Sequence, residues 1–258
     1  MRKVSFVVLL ALVAPLLFQG TSWAYPIKNA PVLTRSPLYS SGPLPRTSCP
    51  EQPVEAGDVA SVKRYLMPLV TCLDAVWTTH FKKAGLPFTK PTVRFITKPQ
   101  RACGEKWGKY VQAIYCNPTH EIVFLLDKSI MNDPEDLFLM DVIAHEYGHH
   151  VQNAAGMWKA YDRLTGRNRA EFNEQTRRHE LQAECLAGAF IGSVWGSLDR
   201  TTDDWRTLLD ADRRSGDETT DVRDHGKGRN IANWLNRGFK TAGPSACNTW
   251  IAGAPMVG

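Results

Sequence analysis

His145, Glu146 and His149 stand in the run Asp-Val-Ile-Ala-His-Glu-Tyr-Gly-His-His-Val-Gln-Asn, residues 141–153, and spell His-Glu-x-x-His. Residues four apart on a helix lie one turn above each other on one face, so the two imidazoles can converge on one small cation. Glu146 is offset from them by about 100°, close enough to the cation's open side to take a proton from a bound water. Two imidazole donors with a carboxylate beside them are what a hydrolytic zinc site requires. The plainer alternative is a buried helix carrying two hydrogen-bonded histidines.

A catalytic zinc takes three protein ligands and keeps a fourth position for water. The third is sought in a second helical run within residues 168–195, which contains His179-Glu180-Leu181-Gln182-Ala183-Glu184-Cys185. Glu180 and Glu184 are again four apart and share a face. Glu180 can ligate the metal while Glu184 accepts a hydrogen bond from a ligand histidine's other ring nitrogen, fixing its tautomer and orientation. His179 is the rival ligand, but it lies about 100° away and lacks a partner placed as Glu184 is. Otherwise both glutamates belong to a solvated charged face with Arg177 and Arg178. Gly188 extends the face and lets another helix approach closely.

The elements that must position these residues are legible around them. Asp133-Pro134-Glu135-Asp136 reads as a helix start, with Asp133 as cap and Pro134 at the first helical position. Gly156 reads as the stop, and Leu137, Met140, Ile143, Ala144, Tyr147 and Val151 recur at helical spacing between them. Upstream, Val62, Leu66, Leu69, Val70, Leu73, Val76, Trp77 and Phe81 predict a scaffold helix from Asp58 to Gly85, with Pro68 inside it. Residues 92–97 alternate as a strand, and residues 113–116 and 121–126 flank the turn signal Asn117-Pro118-Thr119-His120 as a hairpin. A further helix is expected within residues 199–216, turning Trp205, Leu208 and Leu209 inward. A polar loop from Asp217 to Asn230 follows, then a short helix carrying Ile231, Trp234, Leu235 and Phe239.

Composition sets the frame. The chain has 258 residues, 43% of them hydrophobic, which suits an ordinary globular protein. Residues 1–24 read as a secretory signal: Arg2 and Lys3, an apolar stretch from Val4 to Phe18 broken by Pro15, and the small-x-small pattern Ser22-Trp23-Ala24. The apolar stretch falls short of the roughly twenty residues of a spanning helix, so a membrane is a partner only if this segment is retained as an anchor. Its removal takes the net charge from +5 to +3, too mild for a nucleic-acid partner. The arginines at 163, 167, 169, 177 and 178 are expected on a solvated face and loop. Residues 25–57 hold seven prolines and read as an extended tether, leaving 58–258 as the domain.

Six cysteines, all beyond residue 24, argue for disulfides in an exported chain. Fifteen pairings are possible for six cysteines. The expected set is Cys103–Cys116, the most local; Cys185–Cys247, tying the C-terminal segment to the helix that bears Glu180; and Cys49–Cys72, fastening residues 25–57 to the first helix. The thiols are not zinc ligands, because no pair has Cys-x-x-Cys spacing.

The combination of His-Glu-Tyr-Gly-His-His-Val-Gln-Asn with Glu-Leu-Gln-Ala-Glu-Cys resembles the bacterial neutral zinc metallopeptidase family. The likeness extends to Ala102-Cys103-Gly104, to Tyr115-Cys116-Asn117-Pro118, and to Asp224-His225-Gly226 with Arg229, Trp234, Arg237-Gly238-Phe239 and Cys247-Asn248-Thr249. The family is similar to thermolysin-like zincins. The resemblance implies an α+β, zincin-like fold, mainly helical, with a small β-sheet before the active-site helix and stapled by disulfides. It implies one Zn2+ ion held by His145, His149 and Glu180, Glu146 as catalytic base, and His225 as donor to an oxyanion. It implies also that an edge strand of the sheet pairs with an extended peptide, without saying which strand. The family commonly has aspartate where this chain has Glu184, whose extra methylene changes where the carboxylate lands.

The function expected is that of an exported zinc-dependent endopeptidase acting on a peptide or protein. Two alternatives remain beside it: an exported metal-binding or interaction protein without catalysis, and a zinc hydrolase of a cell-wall bond.

Overall fold

The computed structural model describes residues 25–109, 111–221 and 223–258, and the expected signal segment, residues 1–24, lies outside them. In chain order the helices and strands are Pro31–Thr34 (α1), Val59–Ala84 (α2), Thr92–Ile96 (β1), Ala113–Cys116 (β2), Glu121–Leu125 (β3), Lys128–Met131 (α3), Asp136–Ala154 (α4), Met157–Tyr161 (α5), Arg169–Val194 (α6), Thr202–Asp212 (α7) and Gly228–Thr241 (α8). This is the expected mainly helical α+β architecture, with its small sheet before the motif helix and three disulfides, Cys49–Cys72, Cys103–Cys116 and Cys185–Cys247.

The sheet has the order β1-β3-β2, with β1 parallel and β2 antiparallel to β3. Its two-residue period divides the side chains between two apolar layers. Ala113, Tyr115, Ile122 and Phe124 join the main core with the helices, while Cys116, Val123, Leu125 and Ile96 pack with Ala102 and Trp107 on the other face. Cys103–Cys116 pins the loop that covers this second face.

Local capping fixes the long helices. Asp58 accepts from the Ala60 N–H to start α2, which runs through Pro68 and ends at Gly85 in the left-handed region. Asn168 caps α6, and Thr201 with Asp204 forms a capping box on α7. Glycine then decides how closely the helices approach. A Cβ at Gly188 would collide with the Leu235 carbonyl of α8, and one at Gly238 with the Cys185 carbonyl of α6.

Four expectations are corrected. The motif helix starts at Asp136, after an extended Glu135 that makes no side-chain cap, rather than at Asp133-Pro134. Its first turn is held from outside: Tyr65 donates to the Asp136 carbonyl at 2.7 Å, and Arg200 pairs with the Asp136 carboxylate at 2.6 Å. Apart from α1 and the single turn Pro37–Tyr39, residues 25–57 are irregular, but they are no free tether. Leu33, Leu38, Leu44 and Cys49 are buried, Leu44 N–H donates to the Ala242 carbonyl, and Tyr25 N–H donates to Glu174. Arg178 is buried rather than solvated, because Glu174 and the Thr249 and Ala252 carbonyls accept from its guanidinium. Finally, α8 begins at Gly228, so Asn230 is helical and buried, its amide donating to the Gly258 carbonyl.

Candidate metal centre

Both imidazoles sit in the middle of α4, and both glutamates in the middle of α6. The helices cross where Gly148, inside the His-Glu-x-x-His run, meets Ala183. A Cβ there would lie 2.7 Å from the Ala183 carbonyl oxygen and 3.0 Å from its Cα. Glycine therefore lets the backbones touch, and this brings a glutamate of α6 within reach of histidines on α4.

The atoms converge accordingly. Glu180 Oε2 lies 3.0 Å from His149 Nε2 and 3.5 Å from His145 Nε2. His145, His149 and Glu180 each offer a ligand atom within 4.8 Å of the others. The remaining ring nitrogens are engaged as well. His145 Nδ1 is 2.8 Å from Glu184 Oε2, and His149 Nδ1 is 2.9 Å from Gln152 Oε1. Gln152 turns its amide nitrogen to the His179 carbonyl at 2.8 Å, a group that can only accept. Its oxygen therefore faces His149, and His149 Nδ1 must be the donor. By the same logic the Glu184 carboxylate makes His145 Nδ1 a donor.

A neutral imidazole whose Nδ1 donates carries a lone pair on Nε2, and here both lone pairs would face the Glu180 carboxylate. Such a cluster needs positive charge at its centre, as protons or as a metal ion. The electrostatics say the same. Burial opposes a charge on His145, but hydrogen bonds to Glu180 and Glu184 outweigh it and raise its pKa well above the ordinary histidine value. Burial would likewise raise Glu180, yet the charge of His149 and hydrogen bonds from both imidazoles hold it well below the carboxylate range. The residues fit zinc: the donor set is two nitrogens and one carboxylate, and ligands on a tetrahedral ion at 2.0–2.2 Å lie roughly 3.3–3.6 Å apart.

The other predicted residues surround this group. Glu146, next to His145 on α4, is buried and its charge acts on the His145 ring. His225 approaches from the loop before α8, with Nε2 3.6 Å from Glu180 Oε2 and Nδ1 2.6 Å from Asp224. Burial pulls its pKa down, but the Asp224 hydrogen bond and the charges of Glu180 and Asp224 carry it up to about 9. Its side chain is 55% exposed, so it stands on the solvent side of the group. His179, the rival ligand, is not in it. Its ring stacks on Tyr161 at 4.6 Å and on His149 at 4.9 Å, and burial pushes its pKa down to about 3.

Two glutamines escaped the sequence reading. Gln152 sits three residues after His149, a same-face spacing that could have identified it. Gln182 has no such signal. It accepts from Gln152 at 3.1 Å and from Trp250 at 3.0 Å, and donates to the Cys247 carbonyl at 3.0 Å. The Cys185–Cys247 disulfide thus anchors the C-terminal segment that supports the His149 partner.

Comparison with known proteins accords with this geometry. Residues 22–250 match the family described as "Putative neutral zinc metallopeptidase". Uncharacterized protein YpfJ of Escherichia coli (strain K12) is 28% identical over 206 residues, covering 72% of this chain and 71% of that protein. Uncharacterized protein Rv2575 of Mycobacterium tuberculosis (strain ATCC 25618 / H37Rv) is 32% identical over 136 residues, 43% of each chain. No solved structure matches. The family match spans most of the sequence and includes both helices that carry the convergent histidines and glutamate, and the chain therefore belongs to the neutral zinc metallopeptidase family.

Proposed function

We propose that this chain is an exported zinc-dependent endopeptidase in which His145, His149 and Glu180 hold one Zn2+. The convergence of His145 Nε2, His149 Nε2 and Glu180 Oε2, with both Nδ1 atoms already committed to oxygen acceptors, carries the reading. Zinc held there supplies a Lewis acid and lowers the pKa of a bound water toward about 7. Glu146 accepts the proton of the attacking water and returns it to the departing amine. His225, on the solvent side of the group with its Nδ1 held by Asp224, donates from Nε2 to the developing oxyanion. Glu184 and Gln152 hold the two Nδ1 protons and so keep each Nε2 aimed at the metal.

We take β2 as the strand that receives substrate backbone: the order β1-β3-β2 puts β1 and β2 at the two edges of the sheet, and β2 is the one that packs on α4, which carries the histidines. An edge grips backbone whatever the side chains are, which suits a protease. Export rests on residues 1–24 as a cleaved signal. The three disulfides support it, since such bonds form in extracellular or periplasmic surroundings. Among the described residues no helix is long and apolar enough to cross a membrane.

The test uses the mature chain, whose first residue by this reading is Tyr25. It should cleave casein, stop with a chelator, and recover on adding zinc. Glu146→Gln should lose cleavage while keeping one zinc. Zinc retention without casein cleavage by the unaltered chain would favour the non-catalytic alternative, and hydrolysis confined to cell-wall material would favour the other.

A further inference from the structure

One helical turn from the histidine group, three more carboxylates meet: Asp141 on α4, Glu184 on α6 and Asp212 at the end of α7. Each offers an oxygen within 4.8 Å of the others. All three residues are more than nine-tenths buried, at 6%, 6% and 7% exposure. Among the described residues Asp141 Oδ1, Glu184 Oε1 and Asp212 Oδ2 have no hydrogen-bond partner, and solvent does not reach them.

Three carboxylates at that distance cannot all be ionised without a compensating cation. The neighbouring basic groups are otherwise engaged. Arg213, next to Asp212, turns its guanidinium to Asp210 and stays half exposed. His145 meets Glu184 through Oε2, the oxygen facing away from the unpartnered Oε1. Burial and the Glu184 charge push the Asp212 carboxyl up to about 8. Burial with the charges of Glu184 and Asp212 also raises Asp141 well above its ordinary value.

We propose that Asp141, Glu184 and Asp212 form a second metal site that takes a hard divalent cation of calcium's size. Calcium binds carboxylate oxygens at about 2.3–2.6 Å, so oxygens around one ion stand up to about 5 Å apart, and the three carboxylates lie within that span. Magnesium demands a smaller octahedron and keeps several waters, whereas these oxygens are withdrawn from solvent. An ion here ties α4, α6 and α7 together. It also fixes Glu184, whose other oxygen holds His145, and does so whichever ion His145, His149 and Glu180 take.

The purified, zinc-loaded full chain, freed of other divalent ions, is titrated with calcium chloride by calorimetry and followed by thermal unfolding. We expect one calcium equivalent beyond the zinc and a rise in Tm. Asp212→Asn and Asp141→Asn should each weaken calcium binding at least about tenfold while zinc content is unchanged. Absence of calcium binding and of any Tm shift at 10 mM in the unaltered chain overturns the proposal, and that measurement needs no variant to fold. Preference for magnesium over calcium, or unaltered calcium affinity in Asp212→Asn, also overturns it.

Discussion

The histidine group and the carboxylate group lie side by side on the α4–α6 seam and treat charge in opposite ways. Asp141 is one turn before His145 on α4, and Glu184 is one turn after Glu180 on α6, a step of about 6 Å along each helix. In the first group two imidazoles answer one carboxylate. In the second, three carboxylates face one another, each with an oxygen that no donor among the described residues reaches. Glu184 belongs to both, with Oε2 on His145 and Oε1 among the acids. Neutralising side chains from the two groups should therefore separate their ions, except at Glu184.

The largest effect is expected from Glu180→Ala. Loss of a metal ligand should lower zinc affinity by more than the 10–100-fold typical of partners behind the ligands, with calcium binding retained. Metal analysis after dialysis checks this, and stoichiometric zinc would mean that another group is the third ligand. Next, Glu184→Gln and Gln152→Ala should each weaken zinc about 10–100-fold. Only Glu184→Gln should also weaken calcium, so equal calcium affinity in the two variants would break the proposed sharing.

Gly148→Ala comes third. Its Cβ would press on the Ala183 backbone, and relief by parting α4 from α6 should cost about 1–3 kcal/mol of stability, with weaker binding of both ions. Urea unfolding measures the first and metal analysis the second; an unchanged urea midpoint would show that the crossing tolerates the methyl group.

The last effect is a slope with pH. Asp212 has a folded pKa of about 8 against an ordinary 3.8, so the metal-free folded state holds an extra proton between those values. Stability contributed this way is present at low pH and is lost as pH rises toward 8. Calcium, or Asp212→Asn, should flatten that slope in urea midpoints measured from pH 5 to pH 8. A slope unaffected by either would detach it from the cluster.

The same contrast explains what could be read from the chain itself. His145, His149, Glu180 and Glu184 obey one-turn spacing on single helices, and α2 and α6 are delimited by Asp58, Gly85 and Asn168, so local chemistry sufficed. Asp141 was within reach of the same reasoning, one turn before His145. Asp212 was not, because only the packing of α7 carries it to the seam. The start of α4 was misread for a similar reason: Tyr65 and Arg200 hold it, and both are remote in sequence. Arg178 looked solvated because the carbonyls of Thr249 and Ala252 that receive it are remote too. Prolines in residues 25–57 ruled out long helices but carried no information on burial.

Diffraction from crystals of the mature chain, recorded on both sides of the zinc absorption edge, tests the central assignment most directly. The account predicts one zinc peak about 2.0–2.2 Å from His145 Nε2, His149 Nε2 and a Glu180 oxygen, with solvent as the fourth ligand. A zinc peak bonded to His179 in place of Glu180, or one whose fourth position is filled by a protein side chain, would contradict it.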